Sequence, residues 1–389
     1  MSNLRLLLIL KKSALNRGMN TGLETLVWGL AEKGIRIYIV SGGGNPGKNN
    51  YSIPNNVHYF FTGIEGITKL NFQKAMEIIK KENVDIVIGR IDYLLPLTQL
   101  KEKPGKKSPL LIAAQGSVKT TKLYYYRKIE LIRDLIKGKA DLIDFKYRFF
   151  IRSHTHKIDK VIAISKAVKL NVEKFYKIRK NQCEIIYCGV DIEGFGFKQR
   201  GDEADRPRKY KILYAGNIQK AKGVEALIKA ASKVNYPIEI IFCGNAKEKY
   251  LEHLRKFFSP QNKTSKINYK GALPQSELVA EYQNCDLFIF LSKSEGLGKA
   301  LIEAMSCGCP VITSNIDTFK EIIVNEENGL MIPIDDPLKV TKAIEKFIND
   351  IELRKRCSFN ARRTVEKKFS KESEIIPWVK MIESMISNI

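Results

Sequence analysis

Short apolar runs alternate along the chain with segments whose apolar residues recur at helical spacing. In the first half, the runs LRLLLIL, RIYIVS, VDIVIGR, PLLIAAQG and KVIAIS are predicted to be buried strands. Segments such as GLETLVWGLAEKG and FQKAMEIIKKEN between them have helical periodicity. In the second half, YKILYAG, IEIIFCG, INYKG, DLFIFLS and PVITS are strand-like and are separated by helix patterns. This alternation predicts an α/β protein with parallel, doubly wound sheets and right-handed crossovers.

A charged, Gly- and Pro-containing segment, GFKQRGDEADRPRKY, interrupts the alternation near the middle of the chain. Such composition is typical of a linker. We therefore predict two Rossmann-like domains, one over 1–198 and one over 206–370, facing a central cleft. Ligands of such sheets bind beyond the carboxyl ends of the strands, which would line that cleft.

Composition excludes several classes of protein. No run approaches the roughly 18 apolar residues that a membrane span needs. The first residues lack the order of a signal peptide, because Lys11 and Lys12 follow the apolar run, so we expect a cytoplasmic protein. Seven cysteines without a regular framework argue against a disulfide scaffold and favour packing roles. The four histidines show no metal-motif spacing, and no metal site is predicted.

The net charge of +24 is unevenly distributed. Residues 1–200 contain 36 Lys and Arg against 17 Asp and Glu, whereas residues 201–389 contain 30 against 25. The excess is greatest in residues 101–180, where basic residues alternate with aromatic ones between 119 and 157. A solvated basic face, a surface docking on an anionic membrane, and a nucleic-acid surface remain open. No nucleic-acid motif accompanies the charge, so nucleic acid is not expected, and vesicle flotation separates the first two interpretations.

The strongest candidate site is SKSEGLGKALIEAM, at residues 292–305. A predicted strand ends there and a helix begins, so N–H groups at the helix start suit an oxygen-rich anion. Glu303 inside the helix suits a vicinal diol, and Glu295 on the loop suits sugar hydroxyls. The glycines at 296 and 298 let the backbone approach a ligand closely. A plain strand–turn–helix with two solvated glutamates is the alternative.

This segment resembles the retaining glycosyltransferases of family 4, which have a GT-B architecture. Their Glu-x7-Glu frame matches here from Glu295 through Glu303-Ala304-Met305 to Gly308, Pro310, Val311 and Ile312. The resemblance implies that Glu295 contacts the donor sugar and that Glu303 binds the ribose hydroxyls. It also implies that a backbone segment surrounds the sugar and diphosphate, namely Gly296, Leu297, Gly298 and Lys299.

Further segments extend the resemblance over nearly the whole chain. ILYAGNIQKAKGVEALIKA is similar to the family's diphosphate-binding turn, with Gly216 and Lys222-Gly223 in place. Lys222 there would neutralise phosphate charge and stabilise the departing nucleoside diphosphate. Gly22 and Glu24 match a loop with amides near the donor phosphates, and this interpretation is favoured over a helix-capping turn with Asn20 or Thr21 as the cap. Ser165 and the run Gly189-Val190-Asp191 match the end of the family's N-terminal domain.

Two departures from the family pattern concern residues near the reaction. Asn217 stands where an Arg is usual, so one phosphate contact loses its charge, which Lys220 or Lys299 could supply. Gln115, followed by Gly116, stands where many members have a His. Gln115 cannot titrate, but it can still orient a sugar hydroxyl. A C-terminal helix at about 371–389, near Trp378, is expected to pack back on the first domain.

The resemblance implies transfer of a hexose or N-acetylhexosamine from a nucleotide-diphosphate sugar to a glycan or lipid-linked glycan, with retention of configuration. A UDP-sugar is favoured and a GDP-sugar is the alternative. The C-terminal domain would bind this donor and the N-terminal domain the acceptor, for cell-surface polysaccharide synthesis at the inner face of the membrane. No cofactor or metal is required. A sugar epimerase, a basic nucleic-acid-binding protein and a non-catalytic donor-binding protein are the alternatives.

Overall fold

The structure is a computed structural model that describes residues 3–10, 22–42, 53–62, 69–102, 108–116, 153–198, 209–259 and 263–387. The chain divides into two compact units. The N-terminal unit comprises Met1–Asn16, Leu26–Ile186 and Pro377–Ile389, and the C-terminal unit comprises Arg17–Thr25 and Tyr187–Ile376.

A parallel sheet of seven strands forms the centre of the N-terminal unit. The strands are β1 (Arg5–Leu10), β2 (Arg36–Ser41), β3 (Val57–Phe61), β4 (Ile86–Gly89), β5 (Leu110–Gln115), β6 (Lys160–Ala163) and β7 (Cys183–Ile185). Their spatial order is β3-β2-β1-β4-β5-β6-β7, which reverses direction at β1 as in a doubly wound fold. Leu6 pairs with Ile37 on one side and with Ile86 on the other, so β1 is fully internal. This position explains why β1 is an unbroken apolar run.

Helices that connect these strands supply the rest of the apolar core. They are α1 (Gly22–Glu32), α2 (Lys69–Glu82), α3 (Ile91–Leu94) and α4 (Lys166–Tyr176), with 3₁₀ turns at Leu95–Glu102, Thr155–Lys157 and Lys180–Gln182. Ala75 and Ile78 of α2, with Val168 and Val172 of α4, are buried in one cluster with the sheet. Ser165 caps α4 because its hydroxyl accepts a hydrogen bond from the Val168 amide at 3.1 Å.

The C-terminal unit contains a second parallel sheet, of six strands. These are β8 (Tyr210–Ala215), β9 (Ile238–Cys243), β10 (Lys266–Gly271), β11 (Leu287–Phe290), β12 (Val311–Ser314) and β13 (Leu330–Ile332). The order is β10-β9-β8-β11-β12-β13. The sequence therefore turns back at β8, whose two neighbours are β9 and β11. The carboxyl ends of β8 and β11 lie side by side at this switch point, where ligands of open α/β sheets bind.

The remaining helices begin in the C-terminal unit. They are α5 (Val224–Ala231), α6 (Glu248–Lys256), α7 (Gln275–Asn284), α8 (Lys299–Ser306), α9 (Asp317–Lys320), α10 (Pro337–Asn349), α11 (Ile351–Lys368) and α12 (Lys371–Ser387), with a 3₁₀ turn at Lys220–Lys222. Pro377 lies inside α12, and residues from Pro377 onward group with the N-terminal unit. Two such α/β units with wholly parallel sheets confirm the predicted fold class.

Several details of the secondary structure differ from the sequence predictions. The short strands β3 and β13 and the 18-residue helix α11 were not predicted. The apolar residues of β3 and β13 are too few to define a period, and half of the residues of α11 are charged. The segment CEIIYCGVD forms a strand only over Cys183–Ile185. Six of the seven cysteines are buried, which agrees with their predicted packing role.

Candidate active site

Two strand–turn–helix segments of the C-terminal unit meet at the sheet edge where β8 and β11 end. The first runs from β8 through the 3₁₀ turn Lys220–Lys222 into α5, and the second from β11 into α8. The amide of Lys293 donates to the carbonyl of Ala221 at 2.9 Å, which joins the two turns. Residues 73 positions apart are thereby brought into contact.

Gly223 is the residue that permits this close approach. Its φ of +69° lies in the left-handed region, and a Cβ there would lie 2.7 Å from Leu291 Cβ and closer still to the Leu291 carbonyl oxygen. Any other residue would collide with the end of β11, in addition to being strained in its own backbone. Gly223 therefore sets the distance between the turn that carries Lys222 and the turn that carries Glu295.

Lys222 and Glu295 form an ion pair across the two turns. The Lys222 Nζ lies 2.5 Å from the Glu295 Oε1, and the side chains are 25% and 13% exposed. The hydroxyl of Thr318 donates to the Glu295 carbonyl at 3.0 Å and thereby fixes the backbone of the loop. Lys222 is thus a paired side chain and not an independent solvated lysine. A partly exposed pair of this kind adds only about 0–1 kcal/mol to stability, so stability alone does not account for it.

The Gly296-Leu297-Gly298 turn leads directly into α8. Leu297 is buried and anchors the turn, whereas Gly298 has a φ of +92° and precedes the first helical residue. A Cβ at Gly298 would lie 2.7 Å from the Phe319 ring, so this position also excludes a side chain. Helix α8 begins four residues after Glu295, and N–H groups at a helix start generally lack partners within the helix. Such groups are suited to an anion or to sugar oxygens.

Glu303 is buried in the middle of α8, with 9% of its surface exposed. The Tyr282 hydroxyl donates a hydrogen bond to Glu303 Oε2 at 3.2 Å. Burial raises the pKa of the Glu303 carboxyl to about 7, against the opposing effects of the Lys299 charge and of the Tyr282 hydroxyl. Glu303 is therefore not one of the two solvated glutamates that a plain turn would contain. Burying a carboxyl costs free energy, and this makes Glu303 a candidate functional residue.

Gly216 and Asn217 form the other side of the β8 turn. Gly216 has a φ of +139°, and a Cβ on the neighbouring Gly244 would lie 2.6 Å from the Gly216 carbonyl carbon, so both strand ends are closely packed. The Tyr214 hydroxyl donates to the Asn217 carbonyl at 2.9 Å. Burial, with the nearby negative charge of Glu295, raises the pKa of Tyr214, so this phenol stays a neutral donor. The Asn217 side chain itself is exposed.

A second buried carboxyl, Glu374, was not predicted from the sequence. The Gly189 amide donates to Glu374 Oε2 at 2.7 Å, and a Cβ at Gly189 would collide with the Ser370 carbonyl. Burial raises the pKa of Glu374 to about 8, although the Gly189 hydrogen bond and the Lys299 charge oppose the rise. Close packing against Ser370 therefore requires a glycine at position 189 of the motif. Its hydrogen-bond partner, Glu374, lies 185 positions away in the sequence. Only that contact identifies Glu374, since its local sequence resembles any exposed helix start.

The remaining predicted residues belong to the first part of the chain. Gln115 is buried at the end of β5, and its Oε1 accepts from the Ile91 amide at 3.5 Å. Gly116 follows it and is exposed. Gly22 is the first residue of α1, whereas the alternative caps at Asn20 and Thr21 lie outside the described residues. Most of the basic stretch 119–157 also lies outside them.

Neither a metal-binding cluster nor a membrane-spanning helix is present among the described residues. No group of three or more His, Cys, Asp or Glu side chains there is arranged to hold a metal ion. In the same part of the chain, every helix is too short or too polar to cross a bilayer.

Comparison with known proteins extends the resemblance to both halves of the chain. The Glycosyltransferase Family 4 model matches residues 16–193, and the Glycosyl transferases group 1 model matches residues 195–364. An uncharacterized glycosyltransferase of Methanocaldococcus jannaschii is 30% identical over 315 residues, which cover 81% of this chain and 79% of that protein. The chain belongs to the group 1 glycosyltransferases.

A further relative and a solved structure also match most of the chain. The capsular polysaccharide biosynthesis glycosyltransferase CapM of Staphylococcus aureus is 28% identical over 292 residues, 70% of this chain and 72% of CapM. The structure of HepE from Anabaena in complex with UDP-glucose superposes with a TM-score of 0.71 at 15% identity, covering 99% and 100% of the two chains. At that identity the superposition establishes the shared GT-B fold of this group 1 enzyme.

Proposed function

We propose that this glycosyltransferase moves a hexose or N-acetylhexosamine from a nucleotide-diphosphate sugar to a hydroxyl of a glycan or lipid-linked glycan. The observation that carries the donor site is the joining of Lys222, Glu295 and the start of α8 at the sheet switch point. A cation, a carboxylate and helix-start N–H groups there provide partners for a diphosphate and for sugar hydroxyls at once. Residues 206–370 form the donor domain in this proposal, and residues 1–198, with the helix near 371–389, form the acceptor domain.

In the proposed donor complex, Lys222 and the helix N-terminal amides stabilise the diphosphate as it leaves. A Lys222 that is already held 2.5 Å from Glu295 is pre-positioned, so little side-chain entropy is lost when the phosphate binds. Glu295 then accepts hydrogen bonds from the sugar, and the backbone of Gly296, Leu297, Gly298 and Lys299 follows the sugar and the diphosphate. Gly22 and Gly216 contribute backbone contacts to the phosphates.

Glu303 binds the ribose in this proposal. A carboxylate accepts two hydrogen bonds from a vicinal diol, and its burial makes each of them stronger than in water. Asn217 supplies a neutral hydrogen bond where relatives use Arg, and Lys299 supplies the missing positive charge. Its charge already acts on the buried Glu303. Gln115 and Gly116 orient the reacting sugar or the acceptor without a proton transfer.

We favour a UDP-sugar as donor, because a protein of the same fold, HepE, is described in complex with UDP-glucose. Similarity to CapM supports an acceptor from cell-surface polysaccharide synthesis. Retention of configuration and independence from metal are part of the proposal. If they hold, the product keeps the donor's anomeric configuration in NMR spectra, and EDTA leaves turnover unchanged.

A thermal-shift panel of UDP-, GDP- and ADP-sugars tests the donor class. A bound donor at 100 times its Kd stabilises the protein by about 2.7 kcal/mol, which is readily measured. We expect a shift with UDP-sugars that is much smaller in K222A and E303A and is retained in K233A, which alters an exposed lysine elsewhere on the C-terminal unit. Shifts of equal size in wild type, K222A and E303A would refute the site. If none of the nucleotide sugars shifts the melting temperature, the proposed function is refuted.

A further inference from the structure

Tyr282 is a completely buried tyrosine beside the proposed ribose site, and none of the family motifs includes it. It lies in the last turn of α7, and its ring packs between Phe195 and Phe288 with centroid distances of 6.3 and 5.6 Å. The exposed fraction of its surface is 0%. A phenylalanine would fill the same space, so packing alone does not explain why the ring carries a hydroxyl.

The backbone at Tyr282 is held by sulfur donors. Its carbonyl accepts hydrogen bonds from the Cys309 and Cys285 thiols, at 2.9 and 3.4 Å. These bonds satisfy a last-turn carbonyl of α7, which has no partner within the helix. The ring position is therefore determined by contacts on two faces and at its backbone, so the hydroxyl is a fixed point.

That hydroxyl is directed at Glu303. The Tyr282 oxygen lies 3.2 Å from Glu303 Oε2, in a fully buried environment. Glu303 retains 9% of its surface exposed. Tyr282 thus holds the Oε2 oxygen inside the protein, which leaves Oε1 as the acceptor for a ligand in the proposed donor site.

We propose that Tyr282 is a positioning residue that holds Glu303 Oε2, so that the carboxylate presents a fixed acceptor to the ribose diol of the donor nucleotide. This inference rests on the proposed function of Glu303. A hydrogen bond between a phenol and a carboxylate restricts rotation of the carboxylate about its terminal torsion, which is otherwise broad. Binding the diol then costs less entropy, because the acceptor is already aligned.

The same hydrogen bond favours the charged form of Glu303. The groups that act on this carboxyl are Lys299 on its own helix and Tyr282 on α7, and the thiols of Cys307 and Cys309 act in turn on Tyr282. Lys299 and Tyr282 both oppose the rise in the Glu303 pKa that burial causes. Loss of the hydroxyl would therefore raise that pKa further, and fewer carboxylates would be ionised near pH 7.

The test is UDP binding by Y282F, measured by calorimetry with 2′-deoxy-UDP as the second probe. We expect Y282F to weaken UDP binding about tenfold, the value of one hydrogen bond to a charged group. With 2′-deoxy-UDP the loss should shrink to less than about threefold, because one of the hydroxyls that the oriented carboxylate accepts is absent. A general disturbance of the fold would weaken both probes equally.

Two controls and a pH series separate positioning from a structural effect. Y236F removes a tyrosine hydroxyl that donates to Asn349 on the surface, and it should leave both affinities unchanged. In an E303A background, Y282F should have no further effect on UDP binding. The ratio of the Y282F and wild-type Kd values, in which titration of the UDP phosphate cancels, should be larger at pH 7 than at pH 9.

The outcomes distinguish failure of this inference from failure of the proposed function on which it rests. If wild type binds UDP and Y282F binds it equally tightly, or loses equal affinity for both probes, the role of Tyr282 is refuted and the donor site remains. If wild type binds no UDP, the proposed UDP donor fails and the inference about Tyr282 fails with it. A tenfold loss that disappears in the E303A background supports the inference.

Discussion

Replacing Gly223 with alanine should separate the two turns that build the candidate site. The new Cβ would lie 2.7 Å from Leu291 Cβ and closer still to the Leu291 carbonyl, so one of the two turns must shift. The left-handed φ of +69° costs about 1–2 kcal/mol more for a residue with a side chain. With about 1–3 kcal/mol for the overlap, we expect a loss of roughly 3 kcal/mol.

Gly271 offers a matched control for this prediction. Its φ of +71° is nearly the same, but a Cβ there would meet nothing within 4 Å. G271A should therefore cost only the backbone strain, about 1 kcal/mol, whereas G223A costs strain and collision together. For a domain of this size, each kcal/mol lowers Tm by about 2–4 °C.

The assay combines melting curves with UDP titration of both variants. We expect G223A to melt about 6–12 °C below wild type and G271A about 2–4 °C below it. G223A should also bind UDP much more weakly, because Lys222 and Glu295 lie on the turns that move apart. G271A should bind as wild type does. Equal melting temperatures and equal UDP affinities for the two variants would show that the approach of the turns is not set by Gly223.

Three further variants test separate parts of the structure. The pKa of Glu374 is raised from its ordinary value of 4.5 to about 8 in the folded protein. The contribution of this carboxyl to folding stability is therefore full below pH 4.5 and is lost as pH rises through 8. E374Q should therefore melt higher than wild type at pH 9 but not at pH 5, and a difference independent of pH would contradict this. S165A removes the cap on the Val168 amide and should cost about 1 kcal/mol in urea unfolding, whereas an unchanged midpoint would show that another group caps α4. N217R introduces the cation that the family resemblance implies at this position and should tighten UDP binding about threefold to tenfold in low salt; equal affinity would show that the charge is already supplied.

Much of the fold was predictable because it depends on local periodicity. Apolar runs of strand length, separated by helical patterns, indicated two parallel sheets, and the structure contains them. The short edge strands β3 and β13 were missed, since three to five residues cannot establish a period. Helix α11 was missed because half of its residues are charged and its apolar residues are sparse.

The candidate site divides in the same way. The sequence by itself determined the strand–turn–helix frame that holds Lys222, Glu295 and Glu303, because the glycines and the helix starts are encoded within a few residues. Only the tertiary structure decided which side chains meet there. Lys222 contacts Glu295 across 73 positions, and Glu374 contacts the Gly189 amide across 185. The hydroxyl of Tyr282 reaches Glu303 from another helix. Contacts between distant segments follow from sheet order and packing, and no local pattern records them.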